Sequence, residues 1–157
     1  MATIWPFGKA VNLSGFYTAM IVAEYIVSKC SLDGHQISNL QLQKIMYYVQ
    51  LHFLKEKRHA LFSDDIEAWP LGPVVRRVYY RFCGFGAMPI YYTQLHSSRI
   101  DEQHLSIIDR ITVEKRVINP WDMVDDTHEP GKAWDRVYRD GKGYKEVIPK
   151  EWIVKYG

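Results

Sequence analysis

The sequence predicts a mainly α-helical domain with a minor β component. Apolar residues recur at helical spacing over several long segments, and the one stretch of alternating character, residues 66–69, is short. The length of 157 residues fits a single domain over 1–157, with a core at about 16–140 and a short C-terminal extension. Hydrophobic residues make up 47% and charged residues 24%, which excludes disordered and low-complexity classes.

The first helix is predicted over about 15–30. Phe16, Met20, Ala23 and Val27 recur on one face, as they do in an amphipathic helix. The segment should end near Gly34, because glycine readily takes the left-handed conformation that stops a helix.

The second helix has the clearest start signal. Ser38 is a natural N-cap, and Gln41 three residues later completes the spacing of a capping box. A stripe that includes Leu42 and Val49 follows, and the basic cluster at 55–58 suits the negative end of the helix dipole.

The helical periodicity breaks between residues 60 and 72. Residues 63–65 are predicted to form a turn and residues 66–69 a short extended stretch. Pro73 is predicted at the first position of a third helix, where its missing N–H has no partner to lose. Val78 and Phe82 should face inward, and Gly84 and Gly86 should end this helix.

The rest of the chain is predicted to contain short elements. Residues 88–93 could form a strand or an extended loop, and 102–116 should form a fourth helix. Asn119 and Pro120 open a short helix that continues through Val124. A further short helix is expected at 134–138, followed by a brief strand and a final helical turn within 147–154.

No pattern of catalytic or metal-binding residues is evident. The histidine pair with the nearest approach, His52 and His59, would be separated by about 10 Å along a helix, too far to share one small cation. The carboxylates at 64–67 and 122–126 have the character of solvated turn residues. We therefore expect no enzyme activity, no metal and no cofactor.

Charge and hydropathy argue against two further classes. The net charge is +2, and no basic stripe extends beyond residues 55–58, which disfavours a nucleic-acid binder. The most apolar window, residues 19–27, contains Glu24 and is half a membrane span. The N-terminal residues do not resemble a signal peptide. We expect a cytoplasmic protein that does not insert into a membrane.

Three segments carry a resemblance to a known family. Residues 37–50 resemble its helix motif L-x-L-Q-K-L-x-Y, and residues 66–75 resemble its motif E-A-W-x-x-G-P-V. Residues 127–134 are similar to its ending T-H-x-x-x-P-W, with Ala133 where proline is usual. The family is the Panacea (SocA-like) antitoxin domain, and the resemblance extends from about residue 16 to the C-terminus.

The resemblance implies an antitoxin of a bacterial or prophage toxin–antitoxin module. Such a protein neutralises a cognate protein toxin by direct contact and catalyses nothing. One alternative is a proteolytic adaptor that delivers the toxin to a Clp-type protease. A third class, a DNA-binding autoregulator, is disfavoured by the charge.

The motif residues are expected to be mainly structural. Trp69 should be a buried plug whose indole N–H meets a carbonyl. Lys44 should either lay its stem over Tyr48 with its head in water, which we favour, or pair with an acid such as Glu67. The full motif set is Leu42, Lys44, Tyr48, Glu67, Trp69, Gly72, Pro73, Val74, His128 and Trp134.

The outward face of the third helix is the expected toxin-binding surface. If Val78 and Phe82 face inward, the arginines and Tyr80 face solvent, and such residue types dominate interface hot spots. The predicted partner-binding residues are Arg76, Arg77, Tyr80, Arg81 and Phe85.

Overall fold

The computed structural model describes the backbone at residues 2–4, 10–92, 94 and 99–157, and the side chains from residue 10 onward within those ranges. Over these residues the chain is mainly α-helical, with two small β-sheets, as the sequence predicts. None of the helices in this part of the chain has the length and hydropathy of a membrane span.

Helix α2 (Asn39–Lys57) is the central element, and most of its residues are buried. Its start is a complete capping box: Ser38 Oγ accepts from Gln41 N at 3.2 Å, and Gln41 Oε1 accepts from Ser38 N at 2.9 Å. The helix ends at Arg58, which adopts a left-handed conformation. The predicted start and end of this helix are confirmed.

The start predicted for the first helix is wrong. Residues Ala10–Tyr17 form strand β2, which pairs antiparallel with β1 (Ala2–Ile4) and parallel with β3 (His59–Phe62). Helix α1 spans Ala19–Leu32 behind the N-cap Thr18. Gly15 lies so close to the backbone of β3 that a β-carbon there would overlap Phe62 and Ser63. This long-range packing overrides the helical spacing.

The prediction that Pro73 begins a helix is also wrong. Pro73 lies in β5 (Gly72–Val74), which forms a hairpin with β4 (Glu67–Trp69), and Pro73 is paired with Ala68. The N–H and C=O of Ala68 bond instead to residues 146 and 145 at 2.9 and 2.8 Å. Proline is tolerated opposite Ala68 because this position requires no cross-strand N–H. Helix α3 (Arg76–Phe82) begins after the hairpin, with Val78 and Phe82 buried as predicted.

The later helices follow the prediction closely. They are α4 (Glu102–Lys115), α5 (Pro120–Thr127), α6 (Ala133–Tyr138) and α7 (Lys150–Tyr156). Residues 88–92 form a loop rather than a strand, and Thr93 lies outside the described residues. The brief strand expected after residue 147 is a single bridge between Val147 and Glu67.

Four segments, one of them the first turns of α2, meet at one end of the molecule. Helix α2 contacts α1, α3, α4, α5 and α7, and its N-terminal half also contacts β5. The β4–β5 hairpin, α3 and α5 therefore meet around the first turns of α2. All three motif segments of the sequence converge at this end.

Candidate functional site

Lys44 lies fully buried beneath the β4–β5 hairpin. Its Nζ donates a hydrogen bond to the carbonyl of Leu71 at the hairpin tip, and it takes part in none of the ion pairs among the described residues. Burial lowers the pKa of Lys44 to about 7. Both sequence expectations for this lysine are wrong, because its head is not in water and its partner is not Glu67.

Gly72 leaves the space that the lysine head occupies. Its φ of +114° is a conformation that residues with a β-carbon rarely adopt. A β-carbon at this position would overlap Lys44 Nζ and would lie 2.9 Å from Thr127 Oγ1. The lysine, the glycine and the threonine thus pack as one unit, which we call the Lys44 clamp: Lys44, Leu71, Gly72 and Thr127.

Glu67 is the partner of Arg76 rather than of Lys44. Its two carboxylate oxygens meet the Arg76 guanidinium at 3.0 and 3.1 Å, and Oε1 also accepts from Trp69 Nε1 at 3.0 Å. Trp69 is only partly buried, and its N–H meets a carboxylate, so the expected buried plug bonded to a carbonyl is wrong for this residue. A carboxylate that accepts from both neighbours fixes the orientation of the Trp69 ring.

Trp134 instead has the environment that was expected for Trp69. It is buried, and its Nε1 donates to the carbonyl of Trp69 at 2.8 Å. Its ring stacks on His128 with centroids 3.7 Å apart and on Tyr138 at 4.5 Å. Burial lowers the pKa of His128. This stack supports the hairpin from α6, on the side of β4.

The other motif residues lie in the core or next to it. Leu42 and Val74 are buried. The hydroxyl of Tyr48 donates to Asp126 on α5, and the Lys115 ammonium lies 4.3 Å from the centre of the Tyr48 ring. These contacts join α2 to α4 and α5, and they are structural in character.

Trp69 is the centre of a partly exposed aromatic cluster. Its ring centroid lies 5.0 Å from that of Tyr79, 6.2 Å from that of Tyr80 and 6.1 Å from that of Tyr144. Tyr80 is 56% and Tyr144 is 49% exposed. Aromatic side chains that remain this exposed provide contact area at a small cost in conformational entropy.

Beside this cluster lies a groove of about 620 Å³. It runs between the first turns of α2, the hairpin tip and the end of α3, with Trp121 of α5 on the far side. Its walls are mainly apolar, and two of them, Leu71 and Trp121, are 44% and 56% exposed. We call this cavity the hairpin groove; its walls include Leu40, Pro70, Leu71, Ala87, Trp121 and Tyr144.

The polar groups at the bottom of the hairpin groove are already hydrogen-bonded to one another. Gln43 Nε2 donates to Asn39 Oδ1 at 3.0 Å, and Asn39 Nδ2 donates to the Tyr79 carbonyl at 3.1 Å. Gln43 Oε1 accepts from Val75 N at 3.0 Å. The groove therefore offers apolar contact rather than groups that are free to carry out chemistry.

The five predicted contact residues are all exposed, but they do not form one patch. Arg76 and Tyr80 lie on the same side of α3 as Tyr79, next to the groove. Arg77 and Arg81 project about 160° and 200° around the helix axis from Tyr79.

Arg81 and Phe85 complete the surface of this segment. The Arg81 guanidinium lies 5.0 Å from the centre of the Phe82 ring and 5.6 Å from that of Tyr92. Phe85 ends the 3-10 turn at Cys83–Phe85 that follows α3. The structure thus places Arg76 and Tyr80 on the groove side and Arg81 on the other side of the helix.

Sequence reasoning missed Leu71, Trp121 and Tyr144 as surface residues of the groove. Leu71 lies inside a recognised motif, but its exposure follows from the hairpin, which was not predicted. A signal did exist for Trp121, because a tryptophan in the first turn of a short helix opened by Asn119 and Pro120 has little room to be buried. Nothing in the sequence connects Tyr144 with Trp69.

No group of three or more metal-ligating side chains comes together in the described part of the chain. His52 and His104, for example, have pKa values lowered by burial, as expected for neutral rings packed among other side chains.

Replacing Gly72 by alanine should disrupt the Lys44 clamp. The new β-carbon would collide with Lys44 Nζ and force a strained φ, so the free energy of unfolding should fall by about 3 kcal/mol or more. Urea denaturation measures this loss. Gly84→Ala is the matched control: a β-carbon at this position would point into open space, and the substitution should be neutral or stabilising by up to about 1 kcal/mol. Equal effects of the two substitutions would contradict the clamp.

The burial of Lys44 predicts a stability that rises with pH. Between about pH 7 and 10 the unfolded chain holds a proton on this lysine that the folded chain does not, so the unfolding free energy should increase by about 1 kcal/mol per pH unit. The measurement is best made between about pH 7.3 and 8.3, because histidine and tyrosine side chains titrate mainly outside that range. Urea denaturation across it should show the slope.

A pair of lysine variants isolates the source of that slope. Lys44→Met should abolish it, since the titrating amine is gone, whereas Lys57→Met, at an exposed position in the last turn of α2, should retain it. Retention of the full slope in Lys44→Met would mean that the proton is held elsewhere.

Comparison with known proteins identifies the family. The family model "Antitoxin SocA-like, Panacea domain" matches residues 42–135, a range that contains the hairpin, α3 and the stacked pair of His128 and Trp134. Antitoxin SocA of Caulobacter vibrioides (strain NA1000 / CB15N) is 28% identical over 136 residues, which cover 80% of this chain and 72% of that protein. No solved structure matches the chain. On this match and on the motifs above, the chain belongs to the SocA-like antitoxin family, which is defined by the Panacea domain.

Proposed function

We propose that this protein neutralises a cognate protein toxin by binding it directly at the hairpin groove. The observation that supports the proposal is the arrangement of the family motifs: they build a clamped hairpin that holds apolar and aromatic side chains in solvent. Exposed apolar surface of this kind, next to a groove, is typical of protein interaction sites.

The same geometry favours binding over catalysis. The polar groups of the groove are paired within the protein, and the buried lysine is occupied by a backbone carbonyl. A binding surface needs what the groove does offer, namely preformed apolar walls and an aromatic rim. The mechanism we propose is therefore occlusion of the toxin, or trapping of an inactive toxin conformation, within a stoichiometric complex.

The affinity that we expect for the toxin follows from the role of an antitoxin. An antitoxin must hold its toxin at the low concentrations at which both are made, which requires a dissociation constant of about 1 nM or less, equivalent to about −12 kcal/mol. Trp121 and Tyr144 are suited to supply a large share of it, because exposed aromatic anchors dominate the energetics of such interfaces.

Co-expression with the product of the adjacent reading frame tests the proposal. The wild-type chain should restore growth and co-purify with that product in a fixed ratio. Trp121→Ala should weaken the complex by about 30-fold or more, the usual cost of truncating an aromatic hot spot. Isothermal titration or biolayer interferometry measures the change.

Trp152→Ala provides the matched control. Trp152 is also a partly exposed tryptophan, but it lies on α7 and does not line the groove. Its truncation should leave the affinity within about 3-fold of wild type. If the chain restores growth without forming a complex, and if this rescue is lost in a host that lacks Clp proteases, the mechanism is proteolytic delivery rather than sequestration. Absence of both rescue and binding would contradict the proposal.

A further inference from the structure

We propose that the toxin segment that enters the hairpin groove is acidic as well as apolar. Its apolar side chains occupy the groove, and its carboxylates face Lys145 beside Tyr144. This inference rests on the proposed function and adds to it the chemistry of the partner.

The charge of the hairpin and α3 supports an acidic partner. Residues 67–86 contain three arginines and a single glutamate. That glutamate, Glu67, is fully engaged by Arg76 and Trp69, so it does not offset the other two arginines. Arg77 and Arg81 take part in none of the ion pairs of the described residues, but they project away from the groove and so contribute only long-range positive potential at this end of the molecule.

Lys145 adds a positive charge beside strand β4, where its backbone N–H donates to the carbonyl of Ala68. Its ammonium lies 5.8 Å from the centre of the Trp69 ring and 5.2 Å from that of Tyr144, and it also has no carboxylate partner within the described part of the chain. The nearby Glu146 is held by Arg139 at 3.0 Å. A cation placed over two aromatic rings at the edge of an apolar groove is well placed to meet a carboxylate of a docked segment.

The α5 side of the groove is different. Asp122 follows Trp121 in the first turn of α5, where the helix dipole favours a negative charge, and it is exposed. A partner carboxylate beside α5 would be repelled. The carboxylates of the toxin segment should therefore lie toward Lys145, with its uncharged residues toward Trp121.

The size and rigidity of the groove suit a short apolar segment. Its volume of about 620 Å³ is within the range of sites that enclose whole small ligands. The Lys44 clamp fixes the hairpin before the partner arrives, which reduces the conformational entropy lost on binding. The positive rim should also speed the encounter, since complementary charges raise association rates.

A pair of opposite substitutions at one position tests the charge of the partner. Leu71 accepts the Lys44 hydrogen bond through its carbonyl, so Leu71→Asp and Leu71→Lys both preserve the clamp while removing the same apolar contact. Against the product of the adjacent reading frame, Leu71→Lys should bind about 10-fold or more tighter than Leu71→Asp. The association rate of the wild-type chain should decrease as the NaCl concentration is raised from about 50 to 300 mM.

The control pair is Phe16→Asp and Phe16→Lys. Phe16 is half-exposed and contacts Phe53 at 6.1 Å between ring centres. Phe53 lies about 20 Å along α2 from Asn39, which lines the groove. The affinities of the two control variants should therefore differ by less than about 3-fold, a difference that long-range electrostatic interaction alone would produce. If either Leu71 variant fails to fold, Tyr144→Asp and Tyr144→Lys make the same comparison next to Lys145.

The outcomes separate the two proposals. Equal affinities of the Asp and Lys variants, or tighter binding by the Asp variant, would overturn the acidic partner and leave direct binding intact. A wild-type chain that forms no complex with that product would overturn both. If the affinities of the two Phe16 variants differ as much as those of the two Leu71 variants, the effect comes from net charge rather than from the groove, and the inference is also overturned.

Discussion

The hydrogen bond from buried Lys44 to the Leu71 carbonyl is the contact around which the three family motifs are arranged. A lysine without a carboxylate partner is costly to bury in its charged form, and burial accordingly lowers its pKa to about 7. Gly72 leaves room for the lysine head, and Trp134 bonds to the carbonyl of Trp69 in the same hairpin. The result is a short hairpin that is held from below by α2 and from one side by α6. Its tip is left in solvent.

This arrangement separates stability from recognition. The motif side chains lie mostly beneath or beside the hairpin, whereas Leu71, Trp121 and Tyr144 form the exposed walls of the groove. The surface residues can change without loss of the scaffold, because the clamp acts through a backbone carbonyl and does not depend on the side chain at position 71. Arg76 connects the scaffold to the groove, because it binds Glu67, which in turn holds the indole of Trp69 in the groove wall.

The sequence predicted what depends on local chemistry. The capping box at Ser38, the left-handed turn at Gly34 and the N-cap at Asn119 are encoded within a few residues, and all three are present. It failed where distant segments decide. Residues 10–17 form a strand because β3 lies beside them, and Pro73 joins a hairpin because residues 145–146 take the hydrogen bonds of Ala68. For the same reason, no local pattern could distinguish Trp69 from Trp134, or show that Lys44 would meet a carbonyl twenty-seven residues away.

Hydrogen–deuterium exchange of the free protein and of its complex with the product of the adjacent reading frame would test this account. In the free protein, the amides of the β4–β5 hairpin should already exchange slowly because the clamp holds it. On binding, additional protection should appear at the hairpin tip, along α3 and at the start of α5, and β2 should remain unchanged. Protection confined to β2, β3 or α7, with the hairpin unaffected, would place the interface elsewhere and contradict the role assigned to the groove.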